Sequence, residues 1–437
     1  MTTLSFGRAI MCSLNQNEIF IISALNFLKS GNQVLFWTVK EFIRSGFKVH
    51  MITIPPTPRN VAQMADLKEL FGDSLGNQFI FERRQHPLLP IWRKLERLHL
   101  RKSKSKIKRA KEEPFAQDLA HPLLRWLYWI SYIIGFSFYG VRILLLRRKN
   151  IAFIYGYEVY GAAVGFILSK LFHLPFVTRY QGTILFPFLN QGWMRTFLKY
   201  PEHVFGLWVS RFANLVVMAN DGTRGKEVLE SMGVPSARIL FLHDGVAPIS
   251  PIEPQMLRKM EGLSSEQCLI VTVTRLDPWK RVDRALRAIK KAAKELGNFK
   301  YFIIGDGQER ENLEHLAKSL EIDSQVVFKG FLTHLEAFSW IAASDVLLST
   351  ADHSNLVNSV LESLYLGRLI VSIKDGSLDE IAQYYSGLFL AKDEEELPTL
   401  LVKASRASKP IPDREIVKTW PDRIALELKA IQTSCAF

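Results

Sequence analysis

The stretch "VAPISPIEPQ", Val246 to Gln255, decides how the chain is read. It holds three prolines in ten residues and follows neither a helical nor a strand period, which marks a linker. On its C-terminal side apolar runs alternate with amphipathic ones: "CLIVTVTRL" from Cys268, "KRVDRALRAIKKAAKELG" from Lys280, "KYFIIGDG" from Lys300, "ERENLEHLAKSL" from Glu309, "VVFKGFL" from Val326, "HLEAFSWIAAS" from His334 and "DVLLST" from Asp345. The same texture precedes it. "EIFIISALN" from Glu18, "FKVHMITIP" from Phe47, "IAFIYGY" from Ile151, "PFVTRYQG" from Pro175, "ANLVVMAN" from Ala213 and "RILFLHDG" from Arg238 read as strands. Helices such as "VLFWTVKEFIRSG", stopped by Gly46, "YGAAVGFILSKLFH" and "DGTRGKEVLESMG" separate them. Strands alternating with helices predict parallel sheets covered on both faces. The expected fold is therefore α/β, two doubly wound Rossmann-like domains facing a central cleft, with a final helix in "TWPDRIALELKAIQ". The boundaries are 1–247, 248–415 and 416–437. Ligands of such sheets bind at the carboxyl ends of the strands, so those ends hold the candidate site.

A chain of 437 residues, 48% hydrophobic, suits two or three globular domains. Its net charge is +13. Much of the excess lies in "RKLERLHLRKSKSKIKRAK", Arg93 to Lys111, with ten Lys or Arg against one Glu. Such a run suits an anionic lipid surface, nucleic acid or plain solvation. It lacks the interleaved aromatics of a single-strand binder, so no nucleic-acid partner is expected. Just downstream, "WLYWISYIIGFSFYGV", Trp126 to Val141, is uncharged and carries seven aromatics. It is shorter than the ~20 residues of a span and reads first as a buried core helix, then as an interfacial one, and only last as a span. Residues 93–146 thus form a basic and aromatic insertion in the first domain. Cys12, Cys268 and Cys435 lie far apart, without metal-like spacing, and read as reduced thiols of a cytoplasmic protein. There is no secretory signal pattern at the N-terminus.

Several strand ends carry chemistry. In "VTRLDPWKR" Arg275 and Lys280 are two cations suited to a diphosphate. Glycine turns follow strands at Gly305 and Gly330, where a ligand or flat ring approaches the main chain; a plain turn reads the same way. In "DHSNLVNSVLES" a polar loop enters a helix whose N-terminus is an anion site. Ser354, Asn355 and Asn358 line that entry, and Glu362 lies one turn inside, a fit for sugar hydroxyls. No dinucleotide fingerprint and no Asp-x-Asp pair follow a strand, so neither a dehydrogenase nor a metal site is expected.

Taken together in order, these segments resemble the retaining GT-B glycosyltransferases of family 4, over nearly the whole chain. "TRLDPWKR" is similar to the family's diphosphate-binding segment, "IIGDGQE" and "VVFKGFL" to its glycine turns, and "SNLVNSVLE" to its E-x7-E element. In the first domain Gly31 occupies the place of the glycine-rich first loop. "PFVTRYQGT" resembles the family's His-bearing strand and "HDGV" its domain junction, while the helix after Trp420 corresponds to one that crosses back onto the first domain.

The resemblance implies metal-independent, retaining transfer of a sugar from a nucleoside diphosphate, with no cofactor beyond that donor. Arg275 and Lys280 would hold the diphosphate and Glu362 the donor ribose. Gly31, Gly305, Gly330, Asn355 and Asn358 would complete the donor site. The first domain would take a lipid-linked or other glycan acceptor at an anionic membrane surface, on the inner face of the plasma membrane. Two departures stand out. Ser354 occupies the place of the family's first acid and Gln181 that of its His. A serine cannot serve as a carboxylate nucleophile, so double displacement gives way to front-face departure, with the leaving diphosphate taking the acceptor's proton. The same departures leave room for a catalytically weak partner subunit that binds nucleotide sugar or glycan.

Overall fold

The computed structural model describes residues 17–24, 33–53, 79–83, 122–412 and 414–435. Gly31, Cys12 and the basic run 93–111 lie outside them. The chain divides into two compact units. The first comprises Met1–Ala219, Arg224–Leu242 and Ile424–Phe437; the second comprises Asn220–Thr223 and His243–Arg423.

The first unit is built on a seven-stranded sheet. Its strands are β1 (Glu18–Ser23), β2 (Lys48–Thr53), β3 (Phe79–Arg83), β4 (Ile151–Tyr157), β5 (Phe176–Tyr180), β6 (Leu215–Ala219) and β7 (Ile239–Leu242). The spatial order is β3-β2-β1-β4-β5-β6-β7, and every pairing is parallel. The central strands are continuous apolar runs because both faces are covered; all seven residues of β4 are buried. Sequence reasoning passed over β3, a five-residue strand with two charged residues, Glu82 and Arg83. Helix α1 (Gln33–Arg44) ends before Gly46, whose φ of +90° meets the left-handed turn a helix stop requires.

Two further helices shape this unit, α2 (Pro122–Arg147) and α3 (Glu158–Phe172). Helix α2 is longer than the aromatic segment that announced it. Tyr132, Phe136 and Leu144 on one face join the core with Leu168 of α3. The helices approach closely at Gly140, where a Cβ would fall 2.3 Å from Leu168 Cδ1. The opposite face is apolar yet exposed: Ile134 at 64%, Phe138 at 68% and Leu145 at 70%. By length and composition alone, Trp126–Arg147 is long and apolar enough to cross a membrane.

The second unit holds a six-stranded parallel sheet. Its strands are β8 (Cys268–Val273), β9 (Phe299–Ile304), β10 (Val326–Gly330), β11 (Val346–Ser349), β12 (Leu369–Ile373) and β13 (Leu388–Ala391). The order is β10-β9-β8-β11-β12-β13. Helices α4 (Val282–Leu296), α5 (Arg310–Ser319), α6 (His334–Ala343) and α7 (Asn358–Tyr365) connect successive strands from β8 to β12, and α8 (Leu397–Ser405) follows β13. Helix α4 buries Val282, Ala285, Leu286, Ile289 and Ala292 on one face, at the spacing of an amphipathic helix. Thr333 and Glu336 form a capping box at the start of α6.

The last helix, α9 (Trp420–Cys435), passes from the second unit to the first after Arg423. Within the first unit its Glu427 is fully buried. It accepts from Arg179 Nη1 at 3.0 Å and from the Tyr155 hydroxyl. Breaking such a buried pair by removing one partner costs about 3–5 kcal/mol, so these bonds fix the helix to the sheet.

The boundaries differ from those expected at 247/248 and 415/416. The junction falls at Leu242/His243 and the return at Arg423/Ile424. Val246 is buried, and its main chain bonds to Lys418 and Trp420, so the proline-rich stretch opens packed in the second unit. Gly245 permits that approach, since a Cβ there would meet the Trp420 backbone at 2.8 Å.

Candidate functional site

In the second unit the chain leaves β8 for β9 and β10 on one side and returns to β11 on the other. A ligand crevice is expected between β8 and β11, at the carboxyl ends of the strands. The structure has a pocket there, lined by Thr274 beyond β8, Thr350 and Ala351 beyond β11, Lys280, and Val357 and Ser359 at the start of α7. The N-cap of α7 is Val357, and no side chain caps it. Its first N–H groups are therefore left for a ligand, where the helix also places partial positive charge.

Lys280 is part-buried over this pocket. Burial first, and then the neighbouring Arg275 charge, lower its ammonium to about 8. Its Nζ lies 3.8 Å from the centre of the Trp279 ring, which stacks on His353 at 5.1 Å and 14°. Arg275 is exposed and pairs with Asp277 at 3.2 Å. The two cations expected at a diphosphate thus converge. One is exposed and paired with Asp277, and the other is held in an environment that disfavours its own charge.

The glycines act differently from their expected role. A Cβ on Gly305 would fall 1.8 Å from the Thr274 carbonyl oxygen, and one on Gly307 2.4 Å from that of Leu276. The close approach they permit is by the chain's own 274–276 segment. That turn positions the Arg275 loop and does not open toward a ligand. Gly330 ends β10 with φ of +73°, and a Cβ there would meet only the Arg310 guanidinium, at 3.0 Å. Gly330 is itself buried at the end of the strand.

The polar loop before α7 is more structural than its sequence suggests. Asn355 is fully buried. Its Oδ1 accepts from Ser349 Oγ and Ala351 N, and its Nδ2 donates to Ala351 O and Asp375 Oδ2. Its side chain knots the ends of β11 and β12 together and leaves no group for a donor. Ser354 has a left-handed φ of +54° and donates its hydroxyl to the main-chain oxygen of Asp221 at 2.7 Å. Asp352, two residues earlier, pairs with Arg281 and Arg284. Asn358 is exposed at the helix start. Glu362 is buried, and its Oε1 lies 2.7 Å from His334 Nε2.

Gln181 belongs to the first unit, just beyond β5. Its N–H donates to Glu158 Oε1 at 2.7 Å, and its Nε2 donates to the Tyr157 hydroxyl at 2.7 Å. Glu158 holds a left-handed φ of +59° at the end of β4. Such strain is sustained only where the surroundings enforce it.

Sequence reasoning did not single out His334, Trp279, Asp221 or Glu158. Asp221 belongs to the short segment 220–223 that joins the second unit. Burial raises its carboxyl to about 6, against the hydrogen bonds from Thr223. Only Glu158 gave a signal, a charged residue directly after an apolar run.

Residues 255–404, most of the second unit, match the family model of glycosyl transferases group 1. Among named relatives, the 2-deoxystreptamine glucosyltransferase of Streptomyces kanamyceticus is 29% identical over 133 residues, 30% of this chain and 34% of that protein. A Campylobacter jejuni alpha-1,4-N-acetyl-D-galactosaminyltransferase, named for its diNAcBac-PP-undecaprenol-linked GalNAc substrate, is 34% identical over 130 residues, 29% of this chain and 35% of that one. The chain spans about a third of the length of these two relatives. Across the whole fold, the crystal structure of Anabaena HepE with UDP-glucose superposes with a TM-score of 0.62 at 16% identity, covering 94% of this chain and 99% of that one. The fold is GT-B, with two Rossmann-like domains.

Proposed function

We propose that the protein is a retaining glycosyltransferase that moves a sugar, of hexose type, from a nucleoside diphosphate to a lipid-linked or cell-surface glycan. The observation that carries this reading is the pocket between β8 and β11, where Lys280 and the uncapped start of α7 converge. A leaving diphosphate needs that positive field, and the field strengthens as charge develops on the bridging oxygen. Arg275 and Lys280 supply the cations, Glu362 accepts from the ribose, and the main chain at Gly330 meets the base.

Ser354 cannot reach the sugar as a nucleophile while its hydroxyl serves Asp221. Front-face departure, with the leaving group taking the acceptor's proton, therefore fits better than double displacement. In this mechanism the charge on the leaving diphosphate is neutralised by protein cations, so no metal is required. Gln181, with Tyr157 and Glu158, offers polar groups to an acceptor in the first unit.

The acceptor side is proposed from α2. Its exposed apolar stripe lies opposite a face anchored in the core, so the helix suits the surface of a bilayer better than a crossing. Burying each large apolar side chain contributes about 1.5–3 kcal/mol. The positive charge of the chain favours an anionic surface, which supports a location on the cytoplasmic face of the plasma membrane.

The occupied hydroxyl of Ser354 also favours a second reading, a catalytically weak subunit that binds the donor. A screen of UDP- and GDP-sugars in EDTA, by thermal shift and nucleotide release, separates the two. Stabilisation with release and transfer supports the transferase. Stabilisation without turnover, even with lipid-linked acceptors present, supports the binding subunit, and no stabilisation by any donor refutes both.

A further inference from the structure

The carboxylate of Glu362 is buried, and among the described residues its one side-chain hydrogen-bond partner is His334, 28 positions earlier. His334 opens α6, immediately after the Thr333 cap. Phe338, one turn on, stands beside its imidazole, with ring centres 6.2 Å apart. A buried carboxylate is costly unless a donor meets it. A neutral imidazole supplies one N–H and leaves the remaining lone pairs of the two oxygens available. Two vicinal hydroxyls could share those lone pairs.

The placement along the chain supports this use. Gly330, the glycine that ends β10 and is proposed to meet the base, lies four residues before His334. Ser359, which lines the pocket, lies three residues before Glu362 on the same helix, and residues three apart share a helix face. The His334–Glu362 pair therefore joins the segment suited to a base to the segment suited to a diphosphate. A nucleoside diphosphate carries its ribose between those same two parts.

We infer that His334 is a positioning residue for donor recognition: it fixes the Glu362 carboxylate so that it accepts both ribose hydroxyls, and the site thereby prefers ribonucleoside over deoxyribonucleoside diphosphates. This inference rests on the proposed donor role of the pocket. It assigns to a second residue, on a different helix, part of the discrimination that Glu362 alone would otherwise carry. Holding a polar group in its working orientation is what a supporting hydrogen bond contributes at such sites.

The test is calorimetric titration of UDP, GDP and their 2′-deoxy counterparts into the full chain. The variants are His334→Ala, His334→Gln and Glu362→Gln. The wild type is expected to prefer the ribose form by about tenfold or more, as a hydrogen bond to a charged group commonly gives. His334→Ala is expected to reduce that preference to below about threefold, with the deoxy form, which keeps only its 3′-hydroxyl contact, weakened less than the ribose form. His334→Gln, which restores an N–H donor, is expected to recover part of it. A general loss of packing would weaken both forms together and leave their ratio intact. An unchanged ratio in His334→Ala overturns the inference, and if Glu362→Gln loses the preference all the same, the donor reading stands without it. If the wild type binds no nucleoside diphosphate, the donor reading itself fails and the inference with it.

Discussion

Lys280 sits where burial and a neighbouring guanidinium oppose its own charge, and that has a measurable consequence. Its ammonium titrates near 8 in place of the ordinary 10.5. A diphosphate binds the protonated form and raises the pKa in the complex. Affinity is therefore full below about pH 8 and falls above it, by up to roughly tenfold per pH unit, until the pKa of the complex is reached. Titrating UDP between pH 7 and 10 is expected to show this fall in the wild type and to lose most of it in Lys280→Ala. A flat profile in the wild type would contradict the placement of Lys280 at the diphosphate. Arg275, Lys280 and Glu362, proposed to meet the ligand, stood out in the sequence because they follow strand ends at short offsets. Ser354 and Asn355 were not, because their partners, Asp221 and Asp375, are distant in the chain. A polar residue in a loop looks the same whether it serves a ligand or the loop. His334 was hidden for a related reason, since its pairing joins two separate helices.

At the scale of elements, the strands were legible because parallel strands covered on both faces are uninterrupted apolar runs. Strand β3 was missed because at an edge of the sheet it carries Glu82 and Arg83, which breaks that pattern. Helix α2 was recognised as apolar, but its sequence is apolar all round and does not tell which face is covered. The structure separates the faces: Tyr132, Phe136 and Leu144 lie in the core, while Ile134, Phe138 and Leu145 lie outside. The outer face is predicted to hold the protein on anionic bilayers. Replacing Ile134 and Phe138 with serine should weaken co-sedimentation with phosphatidylglycerol vesicles about tenfold or more, given the apolar transfer energy lost. The melting temperature should stay within about 2 °C, because both side chains are exposed. Undiminished vesicle binding by that variant would exclude this face as the docking surface.

At the scale of the whole molecule, two sheets of the same type were expected and two are found, and the site lies at the strand-order reversal of the second. The division between units was less legible. Residues 220–223 join the second unit from within the first stretch of chain, and the last helix changes unit after Arg423. Both follow from pairings between distant segments, such as Val246 with Thr419, which no local pattern reveals. The account rests on one claim, that the positive pocket of the second unit drives departure of a nucleoside diphosphate and that Ser354 does not act as a nucleophile. The measurement that tests it most directly is metal-free donor turnover by Arg275→Ala, Lys280→Ala and Ser354→Ala, using the donor that the screen selects. The expected result is a loss of about 100-fold or more for each cation variant, with Ser354→Ala within about tenfold of the wild type. Turnover abolished in Ser354→Ala but retained in Arg275→Ala and Lys280→Ala would contradict it.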